Sequence, residues 1–218
     1  NWLILRGFLV DGKPDAAAKM WKRGLKIYPL KDASDPLKME VINGSGVVFN
    51  TIHANNYDFY EELSNVLQKE PISFLDPELR GQAAAIGIIK GKPFEPSERL
   101  KKTLQEAVKV GNATARSIGF APRDPNAYLY EEKQWYTGFI NKDYQWLDKD
   151  GNQGRNMDAR TLFFYTATVN TPAMALEIPG IGSNYAYAGK DSEGRILHGE
   201  DNYKLNIPAN VPAKDFWS

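Results

Sequence analysis

The sequence predicts an α+β protein in which a helical middle region joins antiparallel strands. Two observations carry that class. Between Pro96 and Gly119, residues Leu100, Leu104, Ala107, Val108, Gly111, Ala115 and Ile118 step by three and four, the spacing of one helix face. Between Ser183 and Ile207, short alternating runs are separated by Asp-Ser-Glu-Gly and Gly-Glu-Asp-Asn, which is the period and punctuation of half-buried strands.

In chain order, residues 2–10 form an apolar run with Trp2, Ile4, Phe8 and Val10 on one strand face and Leu3, Leu5 and Leu9 on the other, so a strand buried on both faces is expected. Pro14 sits just inside a helix start, and Ala17, Met20, Trp21, Gly24 and Leu25 follow at helical spacing. Pro29 stops that run, and residues 31–38 are a polar connection. Val41-Ile42 and Val47-Val48-Phe49 flank Asn43-Gly44-Ser45-Gly46, either a hairpin turn or a flexible loop between short strands. Asn56 is placed to cap a helix carrying the stripe Phe59, Tyr60, Leu63, Val66 and Leu67, which Pro71 closes.

Two further helices have explicit start signals. Asp76 accepts from free amides and Pro77 presets the first turn of a helix through Leu79, Ala83 and Ile86 towards Gly91. Pro96 opens the next, whose stripe is small at Gly111 and Ala115 for the close approach of another helix, and Gly119 is its expected stop. After Pro122 and Pro125, the aromatic segment Tyr128, Tyr130, Trp135, Tyr136, Phe139, Tyr144 and Trp146 has weak periodicity and reads as irregular with short strands. Residues 158–169 read as a nearly all-apolar helix, buried on most sides. Pro172 and the Pro179-Gly180 and Gly182 loop end the helices, and Tyr185 and Tyr187 alternate with Asn184, Ala186 and Ala188 as a strand. Asp191 to Gly194 makes the turn of a hairpin, residues 195–198 its return, residues 199–202 a second turn, and residues 203–207 another strand.

Composition narrows the function classes. With 218 residues, 42% hydrophobic and 25% charged, the chain has globular composition. Lys plus Arg equals Asp plus Glu at 27 each, so there is no basic excess to neutralise phosphates and no nucleic acid partner is expected. No run approaches the roughly 18 apolar residues of a membrane span. The absence of cysteine removes disulfides and thiol catalysis.

Catalytic patterns are sparse. His53 and His198 lack metal-ligand spacing. The Gly180-Ile181-Gly182-Ser183 loop precedes a strand instead of opening a helix, unlike a phosphate loop. Asp148, Asp150 and Asn152 stand at alternate positions that can wrap calcium, but Gln153 and Ala159 occupy the places where an EF-hand needs Gly and Glu; an Asp-Gly hairpin turn competes with that reading. No cofactor is predicted. Ser45 and Ser183 lack the frame of a hydrolase elbow. Asn43-Gly44-Ser45 and Asn112-Ala113-Thr114 match the glycosylation sequon. The feature with positive content is aromatic: Tyr185, Tyr187, Trp135 and Trp146 are candidate ligand-binding residues, because Tyr and Trp faces stack on sugars and anchor protein interfaces, while core packing is the competing use of the same side chains.

TPAM at 171–174, GIGSNYAYAGKDSEG at 180–194 and YKLNIPANVPAKDFWS at 203–218 resemble a bacterial family of paired domains of unknown function, numbered twelve-fifty-four and twelve-fourteen. GIIKGKPFEPSERLKKTLQEAVKVGNATARSI at 87–118 and LVDGKPDAAAKMW at 9–21 fit the same family in the same order. The resemblance implies a β-rich N-terminal domain, a helical middle and a C-terminal β-sandwich of jelly-roll type, with this chain as the middle portion and both sandwich domains incomplete. On that reading residues 1–30 end the first domain and add a helix, residues 31–170 are a mainly helical link, and residues 171–218 begin the second domain. It also implies export to the periplasm or beyond. It supplies no catalytic residues. Strands at both ends without their sheets would leave unpaired edges, so the expected partners are the remaining segments of the same protein or neighbouring subunits, and the aromatic richness adds a glycan as a further ligand. The function expected is a non-enzymatic envelope or secreted protein binding a glycan or a protein; the alternative is a hydrolase-like enzyme whose carboxylates, for example Asp158 or Asp191, lie between two β domains.

Overall fold

The chain divides into two units, Asn1–Ile52 and His53–Ser218. The computed structural model describes residues 5, 7, 9–48, 50, 52–131, 134–148, 153–176, 178 and 184–211. Within these, helices and one small antiparallel sheet make a mixed α+β protein, as predicted.

In the first unit, α1 (Asp15–Gly24) begins beside Pro14 and carries Asp15 in its first turn and Lys22 and Arg23 in its last, the charge order that suits the helix dipole. A Cβ on Gly7 would meet Ala17 at 3.0 Å and the Trp21 ring at 3.2 Å, so the glycine lets the backbone lie against the helix. Most of the expected strand at 2–10 lies outside the described residues; Leu9 and Val10 are exposed, and the pairing seen is a bridge from Val10 to Lys13 around Asp11-Gly12. The turn at Asn43 to Val47 forms, with the Ser45 amide donating to Asn43 Oδ1 at 3.1 Å. The described residues flanking it are not strands: Val41, Ile42, Val47 and Val48 are all exposed, because a two-residue period closes a ladder only where a partner strand exists. Phe49 lies outside the described residues.

The second unit is threaded by α4 (Glu98–Phe120), whose 23 residues give it a length of about 35 Å. Ser97 Oγ accepts from the Leu100 amide to start it. Its first half packs with α2 (Asp58–Lys69) and α3 (Pro77–Ala85) around Tyr60, Ala83, Ile88 and Leu104. The predicted starts hold: Asn56 Oδ1 accepts from the Asp58 amide, and Asp76 Oδ1 from the Leu79 amide at 2.9 Å. Lys90 donates to the carbonyls of Leu67, Gln68 and Glu70, closing the C-terminal end of α2. Gln68 in turn donates to the carbonyls of Ile89 and Lys92 and accepts from the Gly91 amide.

The second half of α4 packs with α5 (Met157–Thr166), β1 (Trp135–Tyr136) and β2 (Tyr187–Ala188) around Ile118, Ala127, Tyr136, Ile140, Trp146, Ala159, Leu162 and Phe163. Asn156 Oδ1 caps α5 through the Ala159 amide. The helix buries one face and leaves Phe164 exposed, so it is less enclosed than its composition predicts. Two glycine expectations are corrected. Gly111 has nothing within 4 Å of a Cβ position, and Gly119 does not end α4 but lies inside it, where a Cβ would come 2.7 Å from the Tyr165 ring of α5. The close helix approach is therefore about one turn beyond Ala115 and two beyond Gly111. Pro172, expected to end the helices, instead opens a short one, α6 (Pro172–Ala175), with Thr171 as cap; a proline that cannot continue a helix is suited to its first turn.

The hairpin after β2 forms as expected in reduced form. Asp191 Oδ1 accepts from the amides of Glu193 and Arg195, Gly194 takes φ +80°, and Lys190 bridges Ile196. Residues 203–207, predicted as a strand, are exposed and have no strand partner among the described residues. No helix among the described residues is long and apolar enough to cross a membrane.

Candidate functional site

β1 and β2 pair in the register Trp135 with Ala188 and Tyr136 with Tyr187, so the two tyrosines stand directly opposite on one face. Tyr128 bridges Tyr136 from the other side, the Leu129 amide donating to the Trp135 carbonyl at 2.9 Å and the Thr137 amide to the Ala127 carbonyl at 2.8 Å. Tyr185, two residues before Tyr187, falls on the same face. The result is a row of phenol rings running from the surface into the core. Centroids lie 6.5 Å apart from Tyr185 to Tyr187, 6.0 Å from Tyr187 to Tyr136 and 6.4 Å from Tyr136 to Tyr128, the first two pairs stacked and the last edge-on.

The inner members are fixed by hydrogen bonds to the end of α4 and to the segment that follows it. Tyr136 Oη donates to the Gly119 carbonyl at 2.6 Å, satisfying one of the carbonyls that a helix leaves open at its C-terminal end. Tyr128 Oη donates to the Pro122 carbonyl at 2.8 Å. Glycine at 189 lets the β2 end lie on α4, since a Cβ there would meet the Phe120 carbonyl oxygen at 2.9 Å. Burial pushes the Tyr136 phenol above its ordinary value of 10.0, and the neighbouring Tyr128 and Tyr187 push the same way. Tyr187 is raised by burial and by Tyr185, while a hydrogen bond with Thr166 works in the opposite direction.

The four predicted binding aromatics therefore part company. Tyr185 and Tyr187 are brought together, with Tyr185 58% exposed. Trp135 is half-buried on the strand position facing away from Tyr136. Trp146 is buried against Phe163 and Phe164, with φ +56° and an indole N–H that has no hydrogen-bond partner among the described residues. The inner tyrosines Tyr136 and Tyr128 join the row through pairing between separate segments, which no spacing within a single strand signals.

A groove of about 430 Å³ runs along the second half of α4, lined by Val110, Thr114, Ser117, Ile118, Ala121 and Arg123 among others. Arg123 closes one end and is itself held by Asp158, at 2.6 and 2.9 Å. Asp191, the other carboxylate considered, is held below the usual carboxylate range by hydrogen bonds from the Arg195 side chain and backbone. Both acids thus have a guanidinium partner. Asp148 lies in a hairpin in which its amide donates to the Gly154 carbonyl at 2.8 Å and Leu147 bridges Arg155, while Asp150 and Asn152 lie outside the described residues. Among the described residues, no group of three His, Asp or Glu side chains is gathered to hold a metal ion. His53 is exposed, and the His198 amide donates to Tyr203 Oη at 2.7 Å within the second turn. Ser45 sits in the Asn43 turn, and Ser183 lies outside the described residues.

Residues 182–218 match a family described as a protein of unknown function (DUF1214). Tyr185, Tyr187 and the Asp191 hairpin are inside that stretch; Trp135, Trp146 and α4 are not. No curated protein matches the chain.

Proposed function

We propose that this is a non-catalytic binding protein whose partner is another polypeptide. The observation that carries the reading is in the first unit, where no described side chain is buried and Leu30, Leu37, Ile42 and Val48 are 89%, 80%, 84% and 97% exposed. Singly exposed apolar residues are ordinary, but a run of them across one short segment marks a surface that gains by being covered. Lys31, Asp32, Asp35, Lys38 and Glu40 lie among these residues, a polar surround of both signs of the kind that rims an apolar protein interface. The match at residues 182–218 supports the twelve-fourteen half of the resemblance, and the paired-domain arrangement, with flanking segments or neighbouring subunits as the partner, is part of this proposal. So is a location in the periplasm or outside the cell.

Native mass spectrometry of the purified protein, followed by denaturing mass on the same material, tests the reading. The expected result is an assembly containing this chain with at least one further polypeptide. A solitary monomer that stays soluble at high concentration overturns it.

A glycan ligand is the second reading, favoured by the open ring of Tyr185 backed by Tyr187 and Tyr136. Tyrosine and tryptophan fluorescence titrated with oligosaccharides tests it, and the response is lost in Tyr185→Ala if the ring is the platform. The paired state of Asp158 and Asp191 gives the carboxylate-hydrolase alternative no corresponding support.

A further inference from the structure

We infer that Asn43 is a self-modifying site, converting to aspartate and isoaspartate through its own backbone. Asn43-Gly44 is the single Asn-Gly pair in the sequence. The reaction needs the Gly44 amide nitrogen to attack the Asn43 side-chain carbonyl carbon, and three features of the turn favour that attack. The Gly44 amide donates to no group among the described residues, so none of them holds its nitrogen away from the side chain. Nothing stands within 4 Å of where a Cβ on Gly44 would be, and glycine brings no side chain of its own to obstruct closure of the ring. The Ser45 amide donates to Asn43 Oδ1 at 3.1 Å, which withdraws electrons from the carbonyl carbon and stabilises the negative charge that develops on that oxygen.

The step balances without any cofactor. The Gly44 nitrogen loses its proton and forms a bond to Asn43 Cγ, the C–N bond to the side-chain amide breaks, and ammonia leaves with that proton. The five-membered succinimide is then opened by water at either carbonyl. Opening at the backbone carbonyl gives isoaspartate, in which the main chain runs through the former side chain; opening at the other gives aspartate. Either product carries a carboxylate, ionised at neutral pH, so the formal net charge falls from +0 by one. The new charge stands between Ile42 and Val47, both exposed.

The test is incubation of the intact protein in mildly alkaline water enriched in oxygen-18, followed by peptide mass mapping and chromatographic separation of the isomers. Asn43 is expected to convert several-fold faster than exposed Asn206, taking up one labelled oxygen and giving both isomers. Gly44→Val, which crowds the attacking nitrogen, is expected to slow the conversion several-fold, and Asn43→Gln to abolish it. Retention of the Asn43 amide while Asn206 converts overturns the inference. So does a rate unaffected by Gly44→Val, and so does a rate in the folded protein far below that of the same chain in concentrated urea, since the folded turn would then be protecting the residue.

Discussion

Tyr136 shows how one side chain serves a sheet and a helix together. Its ring completes the row from Tyr185 to Tyr128 while its hydroxyl satisfies the Gly119 carbonyl inside a water-poor core. Tyr136→Phe keeps the ring and strands that carbonyl, a loss of about 1 to 3 kcal/mol from an unsatisfied buried acceptor, to be read in urea unfolding. The same burial sets a pH dependence. Because the folded phenol titrates above 10.0, the folded state holds its proton more tightly than the unfolded chain does. Stability attributable to it is intact below pH 10 and falls as pH rises past that value towards the raised folded one. Unfolding midpoints measured between neutral and strongly alkaline pH are expected to drop steeply in the wild type and more gently in Tyr136→Phe. Equal slopes in the two proteins would mean that other groups govern the alkaline limb.

At the scale of elements, α4 separates what local chemistry specifies from what only a partner decides. The starts of α2 and α3 follow from residues within three positions of each helix end, so Asn56, Asp76 and Pro77 are legible in the sequence, whereas α4 starts after Pro96, at Glu98, with Ser97 as the cap that the proline signal did not single out. The glycines are not legible in that way. Gly111 and Gly119 both lie on α4, but only the position of Tyr165 on α5 distinguishes the one that is needed. Gly111→Ala is expected to stabilise the protein by about 0.5 to 1 kcal/mol, because it removes backbone freedom from the unfolded chain and meets nothing in the fold. Gly119→Ala is expected to destabilise by about 1 to 3 kcal/mol through overpacking, and to cost less in a Tyr165→Ala background. Opposite signs in thermal unfolding check the pair. The strands fail to be legible for the same reason: Tyr187 finds Tyr136 across the sheet, whereas the equally alternating residues 203–207 find no partner among the described residues. Of the candidate site, the pairing of Tyr185 with Tyr187 follows from a spacing of two, but the burial of Trp146 depends on Phe163 and Phe164, which no local pattern places there.

Over the whole molecule, the two units differ in what holds them. His53–Ser218 has two clusters of buried side chains joined by one continuous helix, so a cavity in either weakens a structure that α4 connects to the other. Leu104→Ala in one cluster and Phe163→Ala in the other are each expected to cost about 2 to 5 kcal/mol, with a single unfolding transition retained because the helix cannot melt at one end without losing packing at the other. The described residues of Asn1–Ile52 have no buried side chain, so opening their backbone sacrifices little apolar burial, and brief unfolding is expected to be more frequent there than in the second unit. Limited proteolysis of the chain, diluted until it is monomeric, is expected to cut first within residues 25–52 and to leave a resistant fragment beginning near His53. Under the proposed binding role, adding a polypeptide that co-purifies with the chain is expected to slow those cuts and leave any in residues 198–211 unchanged. If protection appears only at residues 198–211, the covered surface belongs to the matched C-terminal stretch and not to the first unit.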